Sequence, residues 1–121
     1  MQLYKDPKKA LNKHYKVLQK YKGKDLEGLE YEPLYPYFQE AFAGVGFKVL
    51  NDTYVTDEDG TGIVHQAPAF GEDDYRVASK YGIINDERPP PCPIDERGLY
   101  TEQVTDYVGQ YVKVSPHLGL V

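Results

Sequence analysis

Gly60-Thr61-Gly62-Ile63-Val64-His65-Gln66-Ala67-Pro68-Ala69-Phe70-Gly71-Glu72-Asp73-Asp74-Tyr75 divides into three parts. A glycine-bracketed turn comes first, then a short β-branched run (Ile63, Val64, His65) that predicts a strand. A tight Ala-Pro-Ala-Phe-Gly connection leads from it into a helix beginning near Glu72. Asp74 falls in the first turn of that helix. Unpaired backbone N–H groups and the positive end of the helix dipole favour a negative carboxylate there, placed to hold a ligand's ammonium group. His65 and Asp74, nine residues apart across a loop, are expected to line one pocket. Asp73 is turned roughly 100° away round the helix and is expected only to stabilise its start. Gly60 and Gly62 set the register that presents His65. They do not make a nucleotide loop, because the dinucleotide fingerprint would need a glycine at residue 65 and no Gly-Lys pair follows them.

Outward from this block, the helix continues to about Tyr81, burying Val77, Ala78 and Tyr81. Gly82 stops it before the extended run Ile83-Ile84. Upstream, Phe47 to Leu50 and Thr53 to Thr56 are β-rich, and Asp57 to Gly60 supplies a turn. Leu29 to Leu34 and Tyr35-Pro36-Tyr37-Phe38 read as extended segments that pack aromatic rings, since proline excludes a regular helix throughout. Near the start, Asp6 and Pro7 resemble an N-cap and first helical residue, and Gly23 stands where that helix would stop. Ala10, His14, Val17, Leu18 and Tyr21 form its apolar stripe. Downstream, Asp95 to Gly98 predicts a turn and Leu99 to Thr101 a strand, while Thr105 to Val114 mixes strand and turn signals. The class is therefore mixed α and β (α+β), an antiparallel meander with a strongly bent sheet rather than a parallel doubly wound one.

Composition narrows the function classes. The 121 residues suit one domain, or part of one, with a single core, and no run of 18 apolar residues or signal-peptide pattern predicts a membrane partner or export. A cytosolic location is the expectation. Net charge is -5, but residues 1–24 hold eight lysines and one aspartate and the remainder six basic and 18 acidic groups. The basic segment reads as a solvated helix face or, alternatively, as one that approaches a phosphate backbone, and the acidic remainder argues against nucleic-acid binding by electrostatics alone, so any tRNA contact is expected to be local and weak. The one cysteine, Cys92, has no partner for a disulfide or zinc, and His14, His65 and His117 are dispersed without metal-ligand spacing, so no metal is expected. Ser79 and Ser115, the only serines, lie in no nucleophile elbow. Were the domain to hydrolyse an ester, water would be the expected nucleophile.

Gly-Thr-Gly-x-Val-His-x-Ala-Pro at residues 60–68 followed by Gly-x-Asp-Asp-Tyr at 71–75 resembles the editing insertion of isoleucyl-tRNA synthetases. Tyr-Glu-Pro-Leu-Tyr at 31–35 and Val-Thr-Asp-Tyr-Val-Gly-Gln-Tyr-Val at 104–112 are similar to the eukaryotic cytosolic branch. Valyl and leucyl relatives keep the Gly-Thr-Gly and Asp-Tyr but replace the histidine, so His65 favours isoleucine. The resemblance implies a bent, barrel-like, mainly antiparallel sheet with flanking helices, of which residues 1–121 would be a single, truncated editing domain. It also implies a reaction: one methylene is worth only about 1–3 kcal/mol in an apolar pocket, so a second site must remove valine wrongly joined to the tRNA for isoleucine. Asp74 would pair with the free α-ammonium of the aminoacyl ester. His65, with Gly62 beside it, would shape the substrate pocket, and the adenosine hydroxyls at the tRNA 3' end would place the attacking water. The partners implied are that 3' end, its valine moiety and the rest of the synthetase chain. No cofactor is expected in this domain, ATP and Mg2+ belonging to the synthetic site of the parent enzyme. The family's pocket also uses a threonine-rich peptide that does not occur in this sequence, so weak hydrolysis by the 121 residues alone is expected. A noncatalytic tRNA-binding or structural module and a valyl or leucyl editing domain are the rival readings.

Overall fold

The computed structural model describes residues 18–56, 58 and 61–113. Its regular backbone is one α-helix, α1 (Glu72–Lys80), two 3-10 turns (Gly23–Leu26 and Thr105–Tyr107) and three isolated antiparallel bridges. The sequence predicts α1 correctly because its signals are local. Glu72, Asp73 and Asp74 occupy the first turn and Lys80 the last, so both ends complement the dipole. Gly82 adopts φ +68, a left-handed conformation that a side chain disfavours. This bends the chain so that Gly82 N–H reaches Ser79 O at 3.0 Å and Ile83 N–H reaches Ala78 O at 2.9 Å, satisfying carbonyls that the helix end leaves open.

The inner face of α1 supplies the core. Ala78 clusters with Phe42 and Ile84, and Phe38, Val45, Phe47 and Ile83 pack round them; Val77 and Val104 are also buried. Residues 36–46, which the sequence predicts as partly extended, instead wind through successive turns closed by Gln39 N–H to Pro36 O, Phe42 N–H to Phe38 O and Gly46 N–H to Phe42 O. Burying Phe42 favours that coiling, because it brings Phe38 and Phe42 to the same side.

Strand pairing is short. Gly28 N–H to Val49 O, Val49 N–H to Leu29 O and Tyr31 N–H to Phe47 O zip residues 28–31 against 47–49, in accord with the β-rich reading of Phe47 to Leu50. Leu99 and Tyr100 bridge to Tyr111 and Ile94. The turn before them forms at Asp95 to Gly98 as expected, nucleated by the Asp95 carboxylate, which accepts the N–H groups of Arg97 and Leu99. Two expected strands differ. Thr53 and Tyr54 lie in a turn, and Ile63, Val64 and His65 have no regular secondary structure and no strand pairing among the described residues. The β-branched Ile63 and Val64 favour a strand, whereas a ladder also needs a neighbouring edge.

The helix expected between Asp6 and Gly23, with His14, lies largely outside the described residues, as do Ser115 and His117. Residues 18–22 are not helical, and Gly23 opens a 3-10 turn instead of closing a helix. Asp25 explains the change, since its carboxylate accepts the Lys22 N–H at 2.9 Å and so caps a new turn at that point. Among the described residues no helix is long and apolar enough to cross a membrane.

Candidate functional site

Asp74 is the centre of a polar knot that ties three segments together. Its Oδ2 accepts the Ala67 N–H at 2.9 Å, and its Oδ1 accepts the Tyr54 hydroxyl at 3.2 Å. The Tyr54 oxygen in turn accepts the Gln66 side-chain amide at 3.2 Å. Thus the start of α1, the end of the segment carrying His65 and the turn at residue 54 share one carboxylate. The loop between is closed by Phe70 N–H and Gly71 N–H, both donating to Ala67 O. Gly71 is required for this fold-back: a Cβ there would lie 2.5 Å from Asp74 Oδ2. Burial first, and then the Asp74 carboxylate, push the Tyr54 phenol above its ordinary value against the opposing hydrogen bond from Gln66. The phenol therefore keeps its proton and donates it to Asp74.

A second set of charges fixes α1 from its outer side. Asp52, whose side chain is 7% exposed, accepts a two-pronged hydrogen bond from Arg76 at 3.0 and 3.1 Å and a further one from Lys80 at 3.2 Å. Arg76 also holds Asp73 at 3.0 Å and lies over the Tyr54 ring at 5.8 Å from its centroid. The Arg76 hydrogen bonds, aided by Lys80 and the Tyr54 N–H, hold the Asp52 carboxyl far below the usual carboxylate range despite its burial. Asp73 thus stabilises the helix start, as its sequence position implies, by gripping Arg76 one turn on.

His65 and Asp74 belong to one loop unit, and neither lines the two clefts described below. His65 is exposed, next to exposed Ile63 and Val64, while Gln66 and Ala67 turn inward to the knot. Gly62 makes the bend that starts this run, with φ +76, and Thr61 Oγ1 hydrogen-bonds to Ile63 O across it at 2.9 Å. Two open clefts, of about 300 and 230 Å³, lie elsewhere: one is lined by Glu27, Lys48 and Tyr81, the other by Tyr31, Gln39 and Phe47. Cys92 is exposed, and its thiol reaches Ile94 O at 3.2 Å.

Sequence reasoning missed Tyr54, Gln66, Asp52 and Arg76. No periodicity singles out Gln66, since Ile63, Val64 and His65 are all exposed and Gln66 and Ala67 are both half-buried. The spacing of Asp73 and Arg76 is a visible helical pair. Nothing local announces that Asp52 meets Arg76 across 24 residues.

Comparison with known proteins gives the class and then the family. No family model matches the chain. It is 53% identical over 111 residues to the cytoplasmic isoleucine-tRNA ligase of Schizosaccharomyces pombe and 51% identical over 111 residues to that of Saccharomyces cerevisiae, in each case 92% of this chain and 10% of the relative. The cytoplasmic isoleucine-tRNA ligase of Mus musculus is 50% identical over 99 residues, 82% of this chain and 8% of the relative. Identity at this level over most of the chain places it among the aminoacyl-tRNA synthetases. Within that class it belongs to the isoleucine-tRNA ligase family, and it spans about a tenth of the length of these relatives.

Proposed function

We propose that the chain is part of the editing region of a cytosolic isoleucine-tRNA ligase and helps to hydrolyse the ester joining a wrongly attached valine to the tRNA for isoleucine. One observation carries the reading: a half-buried carboxylate, Asp74, is held at the start of a helix by two hydrogen bonds, within a chain about half identical to isoleucine-tRNA ligases. A carboxylate has about four lone-pair positions, so two remain for an ammonium group. In this reading Asp74 grips the α-ammonium of the valyl ester, His65 limits the size of the side chain admitted, and Gly62 provides the bend that presents His65. Water is the nucleophile, and the hydroxyls of the tRNA 3'-terminal adenosine help to place it. The ester is already activated, so positioning and charge supply much of the rate. ATP and Mg2+ serve the ligation reaction of the whole enzyme and take no part in this step. The described bridges and α1 then belong to the bent, barrel-like antiparallel sheet of a larger editing unit, completed by the rest of the ligase chain.

A second reading, a noncatalytic structural module, is favoured by the two protein hydrogen bonds that Asp74 already accepts. Asp74→Asn in the full-length ligase separates the two. Asparagine can accept from Ala67 with its amide oxygen and, once the Tyr54 phenol proton turns away, donate to the Tyr54 oxygen with its amide nitrogen, so the shape of the knot is kept while the charge is lost and one hydrogen bond is reversed. Editing by Asp74 requires hydrolysis of valyl-tRNA to fall by roughly tenfold or more, the value of one hydrogen bond to a charged group, with little change in melting temperature. Unchanged hydrolysis would leave only the structural module.

A further inference from the structure

Tyr54 has no role in the reaction described so far, yet it supplies one of the two hydrogen bonds that Asp74 accepts. Its hydroxyl donates to Asp74 Oδ1 at 3.2 Å and accepts from Gln66 Nε2 at 3.2 Å. Its backbone N–H points at Asp52 Oδ1 at 3.4 Å, and its ring lies beneath Arg76, which Asp52 clamps in turn. The phenol is thus held on its ring face, at its backbone and at its oxygen. The Ala67 N–H fixes the other carboxylate oxygen at 2.9 Å. With one oxygen pinned by a backbone amide and the other by a phenol on a rigid mount, the carboxylate plane has no free rotation, and its unused lone pairs keep fixed directions. Gln66, the residue after His65, completes the link from the loop to the phenol.

We propose that Tyr54 is a positioning residue for editing: its hydroxyl sets the orientation in which Asp74 receives the substrate ammonium, and couples that carboxylate through Gln66 to the loop bearing His65. The proposal rests on the editing function proposed above and adds a residue that does not touch the substrate. Removing the hydroxyl should leave Asp74 charged but free to rotate, so ammonium binding weakens while the chemistry of the attacking water is retained. The loss then falls in KM, because the interaction is made equally in the bound substrate and in the transition state.

The test is hydrolysis of valyl-tRNA by the full-length ligase carrying Tyr54→Phe, Asp74→Asn or both, with melting temperatures measured alongside. Phenylalanine keeps the ring under Arg76. Tyr54→Phe should raise KM by roughly tenfold with kcat nearly unchanged, in the range of one hydrogen bond to a charged group. Beside Asp74→Asn its effect should vanish, since a residue acting through Asp74 has nothing left to orient. Gln66→Leu, which leaves the phenol in place, should move KM in the same direction and likewise lose its effect in the Asp74→Asn background. It decides the matter if Tyr54→Phe fails to fold. Wild-type kinetics of Tyr54→Phe together with impaired Asp74→Asn would overturn the positioning role and leave the editing function standing. Tyr54→Phe and Asp74→Asn effects that multiply independently, or a fall in kcat that tracks a fall in melting temperature, would also overturn it. An Asp74→Asn enzyme that hydrolyses valyl-tRNA normally would refute both.

Discussion

At the scale of single residues, Asp74 and Gly71 act as one device. The sequence announces Asp74 as a carboxylate in a first helical turn, a position that ordinarily caps the helix's own backbone. The side chain instead reaches back past Gly71 to the Ala67 N–H, and only a residue without a Cβ leaves room for it. Gly71→Ala is therefore expected to push the carboxylate off Ala67 without breaking α1. The new Cβ would press on the Asp74 carboxylate, at 2.5 Å from Oδ2 and 2.9 Å from Cγ, and this group can swing aside, so stability should fall by about 1 kcal/mol, the net worth of one hydrogen bond. Hydrolysis of valyl-tRNA by the full-length ligase should fall several-fold nonetheless. A variant that loses stability without losing hydrolysis would mean that the fold-back serves the fold alone. His65 shows the limit of reading single residues: Ile63 and Val64 beside it predict a strand, but nothing in that run supplies the neighbouring edge that a strand needs.

Elements differ in legibility according to how local their causes are. The helix α1 was readable from end to end, because acidic first turn, apolar inner face and glycine stop all lie within a dozen residues. The turn at Asp95 was readable for the same reason, one carboxylate serving two nearby N–H groups. The coil of residues 36–46 was not, since it is fixed by Phe42 meeting Ala78 and Ile84, far along the chain. Nor was the clamp of Asp52 on Arg76, which locks α1 to the turn at Tyr54 and so holds the Asp74 knot in place. That clamp gives a pH dependence. The Asp52 carboxyl is held well below its ordinary value by Arg76 in the folded chain, so the stability it contributes is complete above the unfolded value of about 3.9 and is lost as pH falls further towards the depressed folded value. Melting temperature should therefore drop more steeply below about pH 4 in the wild type than in Asp52→Asn, which has no proton to take up there. Parallel curves from pH 6 to pH 2 would show that the clamp carries no linked stability.

For the molecule as a whole, burial is sparse beside what is exposed. Five side chains form the buried core of the described residues, while Leu34, Ile63 and Phe70 are 88%, 68% and 60% exposed. The chain spans about a tenth of its relatives' length, and the editing reading proposed above accounts for Asp74 held at the start of α1 beside an exposed His65. The family was legible because the Gly-Thr-Gly-Ile-Val-His and Asp-Asp-Tyr wording is a local string, whereas the hydrogen bonds of Tyr54 and Gln66 round Asp74 join segments that no local string connects. The central claim is that Asp74 recognises a positive amine. Its most direct test compares full-length wild-type and Asp74→Asn ligases on valyl-tRNA and on the same tRNA esterified with the 2-hydroxy analogue of valine, which lacks the amine. Wild type should prefer the amine substrate by roughly tenfold or more, and the variant should lose that preference. An equal preference in both enzymes would contradict the account.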